Sequence, residues 1–130
     1  MGSLLSLLIL RGDGSLAASS QIQGALMWIQ IIKTRVKTGK DEALVQLEDQ
    51  LAAIEQPDSG LVRTTMARDQ KDPNTVYMIV TFESEEKARA READPRRQEG
   101  LAGIRDTMME IFDGPPEFID LVVVAERTAG

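Results

Sequence analysis

Segments with the apolar pattern of a β-strand and segments with that of a helix follow one another along this chain. Their order restricts the fold more than any other feature of the sequence. Four short segments are rich in Ile, Val and Thr, as β-strands are. Other segments carry apolar residues three to four positions apart, the spacing of an amphipathic helix. The predicted strands are residues 28–36, 61–68, 76–82 and 118–124, and the predicted helices are residues 41–56, 85–92 and 95–112.

Short polar residues mark the predicted starts of the helices. Thr38 with Asp41 three residues later has the pattern of a capping box, so Thr38 is the predicted N-cap of the first helix. Ser84 is the predicted N-cap of the second. Asp94 followed by Pro95 predicts that a helix restarts there, with Pro at its first position.

The resulting order, β-α-β-β-α-β, is typical of an α+β fold of ferredoxin-like topology. It predicts one antiparallel sheet of four strands with the helices on one face. Residues 76–80 and 121–124 are nearly continuous apolar runs, whereas a sheet face in water should alternate apolar and polar residues. A second copy of the chain is the simplest cover for the other face, so we expect a homodimer that forms a dimeric α/β barrel.

Residues 1–26 differ from the rest of the chain and are predicted to be an N-terminal extension, disordered or loosely docked. The Leu-rich run 4–10 is shorter than the ~20 apolar residues that span a bilayer, and no Lys or Arg precedes it. Residues 11–20 are rich in Gly, Ser and Ala, as linkers are. The compact domain is therefore expected at residues 27–130, with no membrane partner. The alternative is that the Leu-rich run adds an edge strand or docks on a neighbouring molecule.

Composition excludes several kinds of chemistry. The chain has 130 residues, no Cys and no His. It therefore has no thiolate nucleophile, no Ser-His or Cys-His pair and no histidine ligand for haem or zinc. The net charge of −6 disfavours nucleic acid as a partner. We expect no cofactor, no metal and a cytoplasmic location.

Five residues are candidates for a site between the sheet and the helices. Trp28, Gln30 and Thr34 share one face of the first strand and are the candidate substrate-binding residues. Arg63 and Tyr77 are the candidate catalytic residues, for charge stabilisation and proton transfer. Four of the five also have a structural interpretation. Trp28 would cap the edge of the core and Gln30 would satisfy backbone groups. Arg63 would reach solvent at the sheet edge, and Tyr77 would pack in the dimer interface.

Other charged and apolar residues have simpler interpretations. A basic run is predicted to be a solvated helix face. It comprises Lys87, Arg89, Arg91, Arg96 and Arg97. Four methionines are expected to fill gaps in the core first and to contact ligand second. They are Met66, Met78, Met108 and Met109.

Local patterns in residues 36–40, 56–60, 72–73 and 81–88 occur in an order and spacing that resembles the antibiotic biosynthesis monooxygenase-like family of dimeric α/β barrels. The resemblance covers roughly residues 28–126. It implies a cofactor-independent, monooxygenase-like protein that acts on a small phenolic or quinol-type molecule. The alternative is a non-catalytic dimeric module of the same fold, with a binding, structural or regulatory role.

The chain also departs from the pattern that the resemblance implies. Phe82 stands where many members carry Trp, and Asp94 or nothing equivalent stands where many carry His. Ile32 stands near the position of the Asn of haem-degrading members. Haem degradation is therefore disfavoured, and the non-catalytic alternative stays open.

Overall fold

The structure is a computed structural model that describes residues 27–129. The predicted extension, residues 1–26, lies outside the described residues. The strands are β1 (Trp28–Arg35), β2 (Leu61–Arg68), β3 (Thr75–Phe82) and β4 (Glu117–Val122). The helices are α1 (Asp41–Ala53), α2 (Glu85–Ala93), α3 (Pro95–Gly103) and α4 (Arg105–Ile111). No helix in residues 27–129 has the length and apolar character needed to cross a membrane.

The four strands form one antiparallel sheet in the order β2-β3-β1-β4, which confirms the predicted ferredoxin-like fold. Trp28 of β1 lies opposite Phe82 of β3 on one side and Val122 of β4 on the other. The ladder between β2 and β3 contains one irregularity, between Leu61 and Arg63. This bulge decides which face of the sheet the later residues of β2 occupy.

The helix starts confirm two of the three predicted caps. The Ser84 side chain accepts a hydrogen bond from the Lys87 backbone N–H at 3.2 Å. The Asp94 carboxylate accepts one from the Arg96 backbone N–H at 2.9 Å, with Pro95 at the start of α3. These caps depend only on residues within one turn, which is why sequence alone identifies them.

The predicted Thr38 cap is wrong. The N-cap of α1 is Lys40, which makes no side-chain capping bond. Gly39 has a φ of 84°, a left-handed turn that separates Thr38 from the helix. The Thr38 hydroxyl instead accepts a hydrogen bond from Asn74 Nδ2 at 3.1 Å. The Thr38 hydroxyl therefore bonds to a residue 36 positions away in the sequence and not to the backbone of α1.

The core lies between the helices and one face of the sheet. It has two clusters of buried residues. The first comprises Val36, Leu44, Leu47, Val76 and Ile111, and the second comprises Trp28, Val80, Phe82 and Ala88. Between these clusters, the same face of the sheet forms the floor of a cavity. We call the opposite face the open face. None of the helices α1 to α4 covers it, and its centre is apolar, where Ile31 lies between Ile79 and Ile119.

Candidate functional site

A cavity of about 990 Å³, partly open to solvent, lies between the sheet and the helices, where the sequence predicted a pocket. All four strands contribute to its floor. The floor residues are Gln30, Ile32, Thr34, Leu61, Thr64, Met78, Val80 and Phe118. Leu47 and Leu51 of α1, Leu101 of α3 and Met108 of α4 add apolar side chains, so most of the lining is apolar. A cavity of this size and character suits a small aromatic molecule.

One polar wall of the cavity is built on an ion pair between α2 and the segment that follows α1. Arg91 donates from Nε and Nη2 to the two carboxylate oxygens of Glu55, at 2.8 and 2.7 Å. The two side chains are only 14% and 18% exposed. Burial alone would raise the pKa of Glu55, but the hydrogen bonds from Arg91 and Ser59 and the charges of Arg91 and Arg97 lower it overall.

Arg89 forms a second polar wall and links it to the sheet. Its guanidinium lies 4.8 Å above the Trp28 ring and donates to Asp120 of β4 at 2.9 Å. Asp120 also accepts a hydrogen bond from Gln30 Nε2 at 3.0 Å. Because Gln30 uses its amide N–H₂ on Asp120, its amide oxygen is the group left to accept a hydrogen bond from a ligand.

Arg97 of α3 is a cation of the cavity wall that lies near a carboxylate without a hydrogen bond to it. Its side chain is 17% exposed, and Nη1 lies 3.8 Å from Glu55 Oε1. That nitrogen makes no hydrogen bond within residues 27–129. Burial and the neighbouring charge of Arg91 lower the pKa of Arg97. A guanidinium in this position stays charged and suits a developing oxyanion.

The structure brings some of the predicted site residues together. Gln30 and Thr34 line the cavity, and Thr34 donates from its hydroxyl to the Val76 carbonyl at 3.0 Å. Trp28 is 3% exposed and belongs to the core beneath Arg89.

Arg63 and Tyr77 lie on the open face, away from the cavity. Leu61 is paired with Phe82 on the cavity side, but the bulge after it pairs Arg63 with Thr81. The later residues of β2 therefore change faces, and Tyr77 pairs with Ala67 on the open side. Any role of Arg63 or Tyr77 would have to be exercised at the open face.

The prediction of a solvated basic face is wrong for three of its five residues. Arg89, Arg91 and Arg97 line the cavity and are at most 23% exposed. The sequence of α2, EEKARAREA, contains no large apolar residue, and this could have indicated that its arginines are half-buried. A helix that packs on a sheet with only Ala must cover the rest of its contact with the stems of long side chains.

The residues described form no cluster that could hold a metal. Within residues 27–129, no three Asp or Glu side chains converge on a common point. The cavity wall carries hydrogen-bonded ion pairs, such as Arg91 with Glu55, beside charged groups that make no such bond among the described residues, Arg97 among them.

The sequence model of a known family, described as antibiotic biosynthesis monooxygenase, matches residues 27–102. The chain belongs to this family. The match includes β1 to β3, α1, α2 and most of α3, and thus most of the cavity wall. No curated protein matches the chain.

Solved structures share the fold at low sequence identity. A proposed antibiotic biosynthesis monooxygenase from Chloroflexus aurantiacus J-10-fl is 24% identical with a TM-score of 0.57, over 80% of this chain and 99% of that one. A conserved protein from Methanosarcina mazei Go1 is 17% identical with a TM-score of 0.61, over 78% and 96%. SnoaB, a cofactor-independent oxygenase from Streptomyces nogalater, is 17% identical with a TM-score of 0.53, over 78% and 95%. These likenesses show the fold.

Proposed function

We propose that this family member oxidises a small phenolic or quinol-type molecule in the cavity, with molecular oxygen and without a cofactor. The observation that carries the proposal is a largely apolar cavity of about 990 Å³ with a cation, Arg97, on its wall. Family membership supports it, and SnoaB is described as a cofactor-independent oxygenase.

The chemistry requires little from the protein because the substrate supplies the electrons. An anthrone loses a proton to give an enolate, which reacts with oxygen. One oxygen atom becomes the new ring carbonyl, and the other leaves as water with the two methylene hydrogens. A quinol gives two electrons and two protons to oxygen and yields a quinone and hydrogen peroxide. The protein must position the ring, exclude water and stabilise the oxyanion.

The residues of the cavity divide these tasks. Gln30 offers its amide oxygen and Thr34 its hydroxyl oxygen to polar groups of the ligand. Leu47, Leu51 and Met78 contact its ring faces. Arg97 is the cation for the oxyanion, because Arg91 is already held by Glu55.

Replacing Arg97 with Met is expected to lower kcat/KM for oxygen uptake with anthrones or quinols by about 100-fold, since removal of one oxyanion-stabilising group costs ~10²–10³. The fold should persist because Glu55 keeps its bidentate partner Arg91. Oxygen-electrode assays measure the effect. Arg63→Ala, on the open face, is the matched control and should retain wild-type activity. A reversed result would place the site on the open face.

The alternative, a non-catalytic binding module, is favoured by one observation: Arg89 and Arg91 are both held by carboxylates. Aromatic ligands that quench Trp28 fluorescence without any oxygen uptake would support it. The cytoplasmic location stays a prediction.

The proposal includes a homodimer formed through the open face. Ile31 lies between Ile79 and Ile119, and Ile29 lies beside Leu121, so these residues form one apolar patch. Ile119 and Leu121 are 36% and 41% exposed in the single chain. Contiguous apolar patches beyond a few hundred Å² are uncommon on monomers.

Replacing Ile79 with Glu is expected to convert the dimer into monomer or to prevent folding, because it puts a charge in the centre of this patch. Light scattering on wild-type protein at micromolar concentration should give twice the mass of the chain. Val45→Glu, at a position 63% exposed on α1, is the control and should leave the dimer intact. A monomeric wild-type protein would refute the dimer.

A further inference from the structure

One carboxylate of the cavity wall has no cationic partner. Glu48, Glu55 and Glu92 line the cavity. Glu55 is held by Arg91, and Glu92 accepts a hydrogen bond from Arg89 at 3.1 Å. The Oε2 atom of Glu48 is buried and has no hydrogen-bond donor within residues 27–129. Glu48 is therefore the lining carboxylate whose charge no cation neutralises by direct contact.

A carboxylate without a cationic partner is unusual at the position that Glu48 occupies on α1. Leu44, Leu47 and Leu51 form the apolar stripe of the helix, and Glu48 lies on the same side by helical spacing. A Leu at position 48 would extend the stripe into the cavity. A charged residue at this position costs stability, because the core-facing positions of an amphipathic helix are usually apolar. Exceptions to that pattern in a cleft are commonly functional.

The surroundings of Glu48 make it a stronger base than an ordinary Glu. Burial raises the pKa of its carboxyl, and the charges of Asp49 and Glu55 raise it further. Cations on the other helices line the same cavity without a hydrogen bond to Glu48: Arg89 and Arg91 from α2, Arg97 from α3 and Arg105 from α4. The chain has no His, so a carboxylate is the natural proton acceptor at neutral pH.

We infer that Glu48 is the catalytic base, which removes a proton from the acidic C–H or O–H group of an aromatic ligand in the cavity. The C–H or O–H bond breaks, its proton passes to the Glu48 carboxylate, and its electron pair stays on the ligand as an enolate or phenolate. Arg97 is the cation available to the oxygen that gains the charge. This inference rests on the proposed function, because it assigns the proton transfer that must precede reaction with oxygen.

Proton removal can be tested without oxygen. Anthrone is incubated with the full-length protein in anaerobic D₂O, and the loss of its methylene proton signal is followed by NMR. The wild-type protein should accelerate exchange, and Glu48→Gln should reduce the protein-dependent rate by about 100-fold, within the ~10²–10⁴ expected for a general base. Glu42→Gln, an exposed residue of the same helix, is the matched control and should exchange like wild type.

The pH dependence gives a second readout. The wild-type exchange rate should rise as Glu48 loses its proton, with a midpoint above the ordinary Glu value of 4.5, and Glu48→Gln should lose that rise. Glu48→Gln should remain folded because it removes an unpartnered charge, and circular dichroism checks this.

The outcomes separate this inference from the proposed function. Exchange that depends on Glu48, together with no oxygen uptake in air, supports the base and rejects the oxidation. Oxygen uptake with equal exchange rates for wild type and Glu48→Gln overturns the base and leaves the oxidation standing. A wild-type protein that does not accelerate exchange also overturns the assignment of Glu48.

Discussion

Replacing Arg91 with Met is expected to lower the free energy of unfolding by about 3–5 kcal/mol, the cost of removing one partner of a buried ion pair. Glu55 is 18% exposed and receives both of its short hydrogen bonds from Arg91. Without them, a charged carboxylate is left at the junction of α1 and α2. Arg91 also lies 5.1 Å above the Phe82 ring, so the substitution removes a cation–π contact as well.

A double variant tests this explanation. Replacing Arg91 and Glu55 together with Met removes both charges and keeps similar side-chain volume, so most of the lost stability should return. Urea unfolding of wild type, both single variants and the double variant gives the coupling free energy. A double variant no more stable than Arg91→Met alone would show that packing, and not the unpaired charge, causes the loss.

The pH dependence of the same variants follows from the pKa of Glu55. Since its pKa is lowered in the folded protein, its stabilising contribution is present above the ordinary value of 4.5 and is lost as the pH falls through the folded pKa. In Arg91→Met, only Ser59 and the charge of Arg97 still oppose the effect of burial, so the pKa of Glu55 should rise relative to wild type and its protonation should cost folding less. The stability difference between wild type and Arg91→Met should therefore shrink as the pH falls below 4.5.

Local signals predicted the fold because each of its elements has a nearby sequence cause. Ser84 and Asp94 cap their helices through contacts two or three residues away. The Thr38 cap failed for the opposite reason, since Asn74, distant in sequence, takes its hydroxyl. The predicted continuous helix from residue 95 divides at Ile104, whose φ of −116° and ψ of 12° leave the helical region after Gly103.

The sequence predicted cavity-lining residues only where the regular alternation of a single strand determines which face they occupy. Gln30 and Thr34 reach the cavity because β1 is regular, so a period of two assigns their face. The same rule would place Arg63 on the face of Leu61, but the bulge reverses it. Arg91 and Glu55 are 36 residues apart, and Arg89 and Asp120 are 31 apart. Such pairs depend on how helices lie on the sheet, and a single sequence does not specify this.

Phe82 is the position at which the sequence departs most visibly from the Trp of many family members, and the structure gives the departure a physical consequence. Its side chain is 2% exposed, with its ring centroid 6.0 Å from that of Trp28 on one side and Arg91 above it. It does not line the cavity. Phe82 therefore acts as core, next to the wall that holds the Arg91 ion pair.

Replacing Phe82 with Ala is expected to lower the free energy of unfolding by about 3–5 kcal/mol, because it leaves a cavity between Trp28 and Arg91. Phe82→Trp should cost about 1–3 kcal/mol, the usual cost of a larger side chain at a fully buried position. Urea unfolding measures both changes, followed by circular dichroism because Phe82→Trp adds a second Trp to the one at position 28. Phe118→Ala, at a position 51% exposed, is the control and should cost far less.

Equal losses at Phe82 and Phe118 would show that Phe82 is not part of the core. A Phe82→Trp variant as stable as wild type would mean that the site can expand, so that this chain could accept the Trp of its relatives without rearranging the Arg91 wall.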